Sequence, residues 1–90
     1  MRQEPSYFDG QELALVYVAK KLREALRLEE LLTGTGFDYL VETDTYRGGV
    51  LFVSERVGAF FYVTPGDGPA VRAAMERAGF EPYSAGSPET

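Results

Sequence analysis

The chain has 90 residues, a net charge of −5, and neither cysteine nor histidine. This length makes one domain that buries only about 60–65% of its unfolded surface, so a stable fold gains from association. The missing residue types exclude disulfides, thiol nucleophiles and most zinc sites, and they remove the usual general base. The acidic balance argues against nucleic acid or an anionic membrane as the main partner.

The ends of the chain differ in composition from its middle. Residues 1–12 mix Pro5, Asp9 and Gly10 with aromatic side chains, which predicts a flexible N-terminal arm. Residues 13–83 carry the periodic segments of a single domain, and residues 84–90 predict a disordered polar tail. The first residues contain no apolar signal region and no run reaches transmembrane length, so we expect a cytoplasmic protein without a membrane partner.

The first strand and the first helix follow one another directly. Leu13 to Val18 contains no polar residue and predicts a strand that is buried on both faces. Lys20 to Thr33 is rich in Leu, Glu, Lys and Arg and predicts a helix, with Gly34 and Gly36 as C-cap candidates. Its leucines spread over a broad arc, which predicts one flank against the sheet and the other against something else.

The middle of the chain predicts three further strands. Phe37 to Thr43 alternates between apolar and polar residues, as a half-exposed or edge strand does. Asp44 to Gly49 is predicted to be a loop. Gly49 to Ser54 and Ala59 to Thr64 are predicted strands, joined by the hairpin-length connection Glu55 to Gly58.

The last elements are a helix and a short strand. Pro69 to Ala78 predicts the second helix because Val71, Ala74, Met75 and Ala78 lie at helical spacing. Gly79 is expected to end this helix in the left-handed conformation. Phe80 to Tyr83 then predicts a short final strand.

The predicted order β-α-β-β-β-α-β indicates an α+β fold of the ferredoxin-like plait type. Its antiparallel sheet would carry both helices on one face, as right-handed crossovers require. The other face would then be bare although its strands are apolar. We therefore expect a homo-oligomer, with a dimer as the expected form, that buries this face against another copy.

The chain resembles a bacterial family of small prokaryotic signal-transducing proteins with a PII-like, ferredoxin-like fold. The resemblance covers roughly Leu13 to Phe80 and rests mainly on residues of packing type, which are Val18-Ala19, Glu24-Ala25, Leu31-Leu32, Gly36-Phe37, Gly49-Val50 and Ala78-Gly79-Phe80. It implies a small intracellular regulatory or ligand-sensing module. The Gly66-Asp67-Gly68 segment precedes the second helix and no lysine follows it, so nucleotide binding is not carried over.

Tyr46, Arg47, Gly48 and Gly49 form the best ligand-binding candidate. They lie where a PII-like protein has its long signalling loop. The two glycines would free backbone N–H groups, and Arg47 would hold a carboxylate or phosphate. A flexible connector with one solvated Arg is the simpler interpretation of the Asp44–Gly49 loop, and the alternative is a module that binds a small anionic ligand or a protein partner there.

Four acidic residues are weaker candidates. Asp38, Glu42 and Asp44 offer oxygen ligands, but their spacing matches no metal-binding loop, so a solvated acidic edge is favoured over a metal site. Glu29 falls inside the apolar arc of the first helix, where burial would raise its pKa. A side chain that extends to water is the simpler interpretation.

Two other functional classes remain open. The chain has no acid–base pair of diagnostic spacing, so we predict no catalytic residue, no cofactor and no metal. Small ferredoxin-like dimeric α/β-barrel enzymes work without cofactors, and this enzyme type is the alternative function. It predicts a closed, mainly apolar cavity between the helices and the sheet, with a Tyr or carboxylate that points into it. RNA recognition is disfavoured because Gly49 and Leu51 stand where that module has stacking aromatics.

Overall fold

The computed structural model describes residues 1–48 and 54–83. It shows an α+β fold in which a short 3-10 turn, Pro5–Phe8, precedes the first strand. The main elements are β1 (Ala14–Ala19), α1 (Leu22–Thr35), β2 (Leu40–Gly48), β3 (Ser54–Val63) and α2 (Gly68–Arg77). The predicted strand over 49–54 and the predicted tail 84–90 fall almost entirely outside the described residues.

The three strands form one antiparallel sheet in the order β1-β3-β2. Since β1 and β2 each run antiparallel to the central β3, they are parallel to one another and are joined by α1. Both helices contribute to the same core, so they cover the same face of the sheet. The core consists of Val16, Ala19, Ala25, Leu28, Leu32, Tyr39, Phe61, Val63, Val71, Met75 and Phe80.

The hairpin of β2 and β3 is longer than the sequence predicts. β1 pairs with β3 only as far as Ala59, whereas Asp44–Gly48 continue to pair with Ser54–Gly58. We call this two-stranded extension the β2–β3 ribbon. It corrects two predictions, because Asp44 to Gly48 is strand rather than loop, and Glu55 to Gly58 is strand rather than a hairpin connection. The glycines and charged residues of these two segments favour turns when they are considered alone, but cross-strand pairing outweighs local propensity.

The helices agree with the sequence prediction except at their ends. α1 ends at Gly36, which has a φ of 86° and the left-handed C-cap conformation. Gly34, the other predicted cap, lies within the helix. Two leucines of the broad arc, Leu22 and Leu26, are 75% and 56% exposed. Within the described residues, neither helix has the length and apolar character needed to cross a membrane.

A β-bulge shapes the outer edge of β1. The register shifts between Leu15 and Tyr17, which leaves Val16 without a partner residue on β3. The Leu15 carbonyl accepts a hydrogen bond from Nη2 of Arg72 at 3.3 Å, and the Val16 carbonyl accepts one from the Tyr83 N–H at 2.6 Å. Residues 80–83 therefore reach the free edge of β1, but they do not form the short strand that the sequence predicts.

The N-terminal segment, predicted to be a flexible arm, is held against the start of β2. The Gln3 N–H donates to the Tyr39 carbonyl at 2.8 Å, and the Tyr39 N–H donates to the Met1 carbonyl at 3.1 Å. Phe8 is only 4% exposed. The buried Phe8 ring and the backbone hydrogen bonds to Tyr39 thus hold this segment in place. Its composition alone does not predict these contacts.

Candidate functional site

In the part of the chain that the structure describes, both helices lie on one face of the sheet and the other face carries none. Leu15 lies opposite Tyr62, and Val18 lies opposite Phe60, in alternation with the core residues of β3. Because directly opposed residues share a face of a sheet, these side chains point away from the helices. The same alternation on β2 places Leu40, Glu42 and Asp44 on this side. We call these residues the open face; its members are Leu15, Val18, Leu40, Glu42, Asp44, Phe60 and Tyr62.

The part of the open face formed by β1 and β3 is apolar, and its side chains are incompletely covered in the part of the chain that the structure describes. Leu15, Val18, Phe60 and Tyr62 are half-buried, whereas Leu40 is 7% exposed. The opposite side of the sheet contains fully buried side chains such as Phe61. The two faces of β3 thus differ sharply in their exposure to water.

A cavity of about 390 Å³ lies at the border of the open face, beside β1. We call it the β1 cavity. It is lined by Leu15, Tyr17, Val18, Lys20, Phe60, Glu81 and Tyr83. Its size is within the range of small-molecule sites, and it has the mixture that such sites show, an apolar floor with a few polar groups.

Tyr17 stands in a stack of side chains at this cavity. Its ring contacts Phe80 edge to face, with centroids 5.5 Å apart, and the guanidinium carbon of Arg27 lies 5.0 Å from the Phe80 centroid. Burial raises the pKa of Tyr17, and the carboxylates of Glu24 and Glu81 raise it further against the opposing effect of Arg27. A phenol is already protonated at neutral pH at its ordinary pKa, and a raised pKa makes Tyr17 still less suited to proton abstraction than to hydrogen-bond donation.

A second cavity of about 290 Å³ lies at the end of the sheet where β1 and β2 begin. It is lined by Gln11, Leu13, Leu40, Glu42 and Tyr62. Burial raises the pKa of the Tyr62 phenol, and the carboxylates of Glu42 and Asp44 add to this effect. This cavity offers a carboxylate and no cationic side chain, so it is the weaker candidate for an anionic ligand.

The predicted ligand-binding residues that the structure describes lie on a strand and not in a loop. Tyr46, Arg47 and Gly48 lie on β2 in the β2–β3 ribbon, where the register sets Tyr46 opposite Arg56 and Arg47 opposite Glu55. Gly49 lies outside the described residues. Ligand binding by these residues stays a prediction. Those that the structure describes lie in a paired strand, where a loop is expected from the sequence.

The acidic candidates do not form a common site. Asp38 accepts hydrogen bonds from Nε2 of Gln3 at 3.1 Å and from the Tyr7 hydroxyl at 2.9 Å, and these bonds lower the pKa of its carboxyl group. Oδ1 of Asp44 accepts the backbone N–H of Thr45 at 2.7 Å. Across residues 1–48 and 54–83, no group of three acidic side chains is arranged to hold a metal ion.

Glu29 is half-buried, and its carboxylate extends from α1 to an ion pair. Its Oε2 lies 3.7 Å from Nη1 of Arg2, in the N-terminal segment. The side chain thus reaches a cation at the surface, as the simpler interpretation of the sequence expects.

Sequence reasoning did not find the β1 cavity, because its lining comes from three separate segments. A comparison with models of protein families, with curated proteins and with solved structures found no match to this chain. The resemblance to signal-transducing proteins therefore stays a prediction. The fold and the cavities describe a small α+β domain with one open sheet face.

Proposed function

We propose that this chain is a small regulatory or interaction module that self-associates through its open face. The observation that carries the proposal is the contrast between the two sides of the sheet. On the helix side the core is closely packed, and in the described part of the chain no buried side-chain polar atom lacks a hydrogen-bond partner. On the other side, half-buried aliphatic and aromatic residues still have apolar surface to remove from water.

A second copy is the occupant that suits the open face best, because the charges at its borders are self-complementary. Lys20 follows β1 at the level of Gly58, the residue that pairs with Asp44 on β2. A two-fold axis along β3 would set β1 of one copy over β2 of the other. Lys20 of each copy would then lie opposite Asp44 of its partner, which gives orientation to an otherwise apolar contact.

Three features support the plait as the complete architecture. The sheet order is β1-β3-β2, the parallel strands β1 and β2 are joined by α1, and the Tyr83 N–H bonds to the free edge of β1. The position beside β1 is where the fourth strand of such a plait lies. The regulatory role draws on the resemblance to intracellular signal-transducing proteins, with the β2–β3 ribbon and its Arg47 as the contact for a protein partner or a small anionic ligand.

Sedimentation velocity at micromolar concentration tests the association. We expect the wild-type chain to sediment as a dimer and Phe60→Glu, which places a carboxylate on the open face, to sediment as a monomer. Leu22→Glu is the matched control, since Leu22 is 75% exposed on α1 and outside the open face. The milder Val18→Thr variant keeps the side-chain shape and should weaken association without unfolding the chain.

The charge pair has its own test. Lys20→Glu and Asp44→Lys should each weaken the dimer, and the double variant should restore it, because the exchanged charges again lie opposite one another. A wild-type chain that stays monomeric at about 100 µM, well above the usual range of stable association, would refute the proposal.

The second candidate function is a cofactor-independent enzyme of the dimeric α/β-barrel type. The β1 cavity favours it, because the protonated Tyr17 phenol lines a largely apolar space where it would act as a proton donor. The cavity lies at the outer edge of β1, with Val18 and Phe60 on the open side and Tyr17 on the side of Phe61, and not in the closed position between helices and sheet that the sequence analysis expects for an enzyme. A variant Tyr17→Phe that still binds a substrate but no longer turns it over would support this function.

A further inference from the structure

We propose that the β1 cavity is a binding site for a small zwitterion with an apolar body, such as a free amino acid with an aromatic or branched side chain. The apolar body would lie on Leu15, Val18 and Phe60, which form one continuous surface across β1 and β3. The cavity volume of about 390 Å³ is enough for a molecule of this class.

The cavity has one cationic and one anionic residue in its lining, and this pair favours a ligand that carries both a carboxylate and an ammonium group. Two of the lining residues, Lys20 and Glu81, carry opposite charges, one on an ammonium group and one on a carboxylate. A ligand with only a carboxylate would be attracted by Lys20 and repelled by Glu81, and an amine would meet the reverse. A zwitterion offers an oppositely charged group to each side chain, so it gains two charge-assisted hydrogen bonds without a repulsive contact.

Tyr17 adds a neutral donor to this arrangement. Tyr17 lies opposite Phe61, on the helix side of β1, and lines the cavity at the strand edge. Its phenol is protonated at neutral pH, so its hydroxyl would donate a hydrogen bond to the ligand carboxylate. The ring is held by Phe80, which is itself fixed between Tyr17 and the Arg27 guanidinium. A wall that is already ordered lowers the entropic cost of binding.

The C-terminal wall of the cavity is also fixed by the fold. The hydrogen bond from the Tyr83 N–H to the Val16 carbonyl joins this wall to the bulge in β1. Glu81 and Tyr83 are thereby held beside Lys20 by the backbone of a single chain. The site is complete within one copy, so the inference does not depend on self-association.

Titration of the ¹⁵N-labelled chain with four probes tests the site. L-phenylalanine and L-leucine carry both charges, 3-phenylpropionate lacks the ammonium group, and 2-phenylethylamine lacks the carboxylate. We expect L-phenylalanine to shift the amide signals of Leu15, Val18 and Phe60, and to bind about fivefold or more tightly than either single-charge analogue.

Matched variants assign the charges. Lys20→Gln should weaken L-phenylalanine binding about fivefold, whereas Lys21→Gln, which changes the neighbouring lysine outside the cavity, should not. Glu81→Gln should weaken it similarly, with Glu76→Gln on the exposed side of α2 as the control. Tyr17→Phe keeps the ring contact with Phe80 and removes only the hydroxyl.

Two results would overturn the proposal. The first is the absence of any shift at these amides with all four probes at about 10 mM, near the weak limit of specific binding. The second is binding of 3-phenylpropionate as tight as that of L-phenylalanine, since the ammonium group would then contribute nothing. Sedimentation of the same samples records the oligomeric state separately, so a failure of ligand binding and a failure of self-association are distinguished.

Discussion

Two neighbouring phenylalanines on β3 give a direct test of how the sheet separates core from open face. Phe61 is 0% exposed and stacks on Tyr39, with ring centroids 6.1 Å apart. Phe60 is half-buried and points to the other side. Truncation of a fully buried Phe to Ala costs about 3–5 kcal/mol, from lost transfer free energy and the cavity that remains. A 90-residue domain has a total stability of about 5–13 kcal/mol, so Phe61→Ala should remove a large part of it.

Urea unfolding followed by circular dichroism measures both variants. We expect Phe61→Ala to lose about 3–5 kcal/mol at every protein concentration. Phe60→Ala should cost less at low concentration, and its deficit should grow at concentrations where the wild type associates, because association stabilises only the wild type. Phe61→Leu retains a measurable folded state if the Ala variant does not fold. Equal losses for the two positions at all concentrations would refute the assignment of Phe60 to an open face.

Two further predictions concern the first helix and the N-terminal segment. Gly36→Ala should destabilise the chain by about 1–2 kcal/mol in thermal unfolding, because Gly36 has a φ of 86°, a left-handed conformation that is unfavourable for alanine. The added methyl group meets no atom within 4 Å, so the loss would come from the backbone conformation alone. The control Gly34→Ala lies inside α1 with equal space, so it should stabilise by up to about 1 kcal/mol; a loss there would contradict this explanation. Hydrogen bonds to the Asp38 carboxylate lower the pKa of this group on folding. The ionised Asp38 therefore stabilises the fold above the unfolded pKa, near 3.8, and this stabilisation is lost as the pH falls through the lower folded pKa. Asp38→Asn should remove this part of the acid dependence of urea unfolding below pH 4, and an unchanged acid profile would show that these hydrogen bonds do not act in solution.

The sequence predicts the two helices and their buried faces well, because helical periodicity is a local signal. Val71, Ala74 and Met75 are buried as their spacing predicts, and the glycine after α1 has the expected left-handed conformation. The alternation of Phe37 to Thr43 likewise identifies β2, although the strand itself begins at Leu40. Each of these features depends on residues that lie within one or two turns of one another.

The ribbon and the cavity could not be predicted in the same way. The strand character of Asp44–Gly48 depends on pairing with Ser54–Gly58, whose glycine and charged residues resemble a turn when they are considered alone. The β1 cavity depends on a bulge at Val16 and on the return of Tyr83 to that bulge, 67 positions later by residue number (83 − 16). No pattern in the neighbourhood of either residue marks this contact.

The cavity and the open face share Leu15, Val18 and Phe60, and Lys20 takes part in both proposals. A ligand carboxylate and Asp44 of a second copy would therefore compete for the same ammonium group. Competition for one charge makes the coupling negative, and linkage requires that the ligand weaken association by the factor by which association weakens ligand binding. We expect saturating L-phenylalanine to raise the dimer dissociation constant about fivefold or more, within the usual range of such coupling. In Lys20→Gln this effect should become smaller, because the competition for the charge is removed while the shared apolar residues remain. Tighter association in the presence of the ligand would show instead that the two sites do not compete for Lys20.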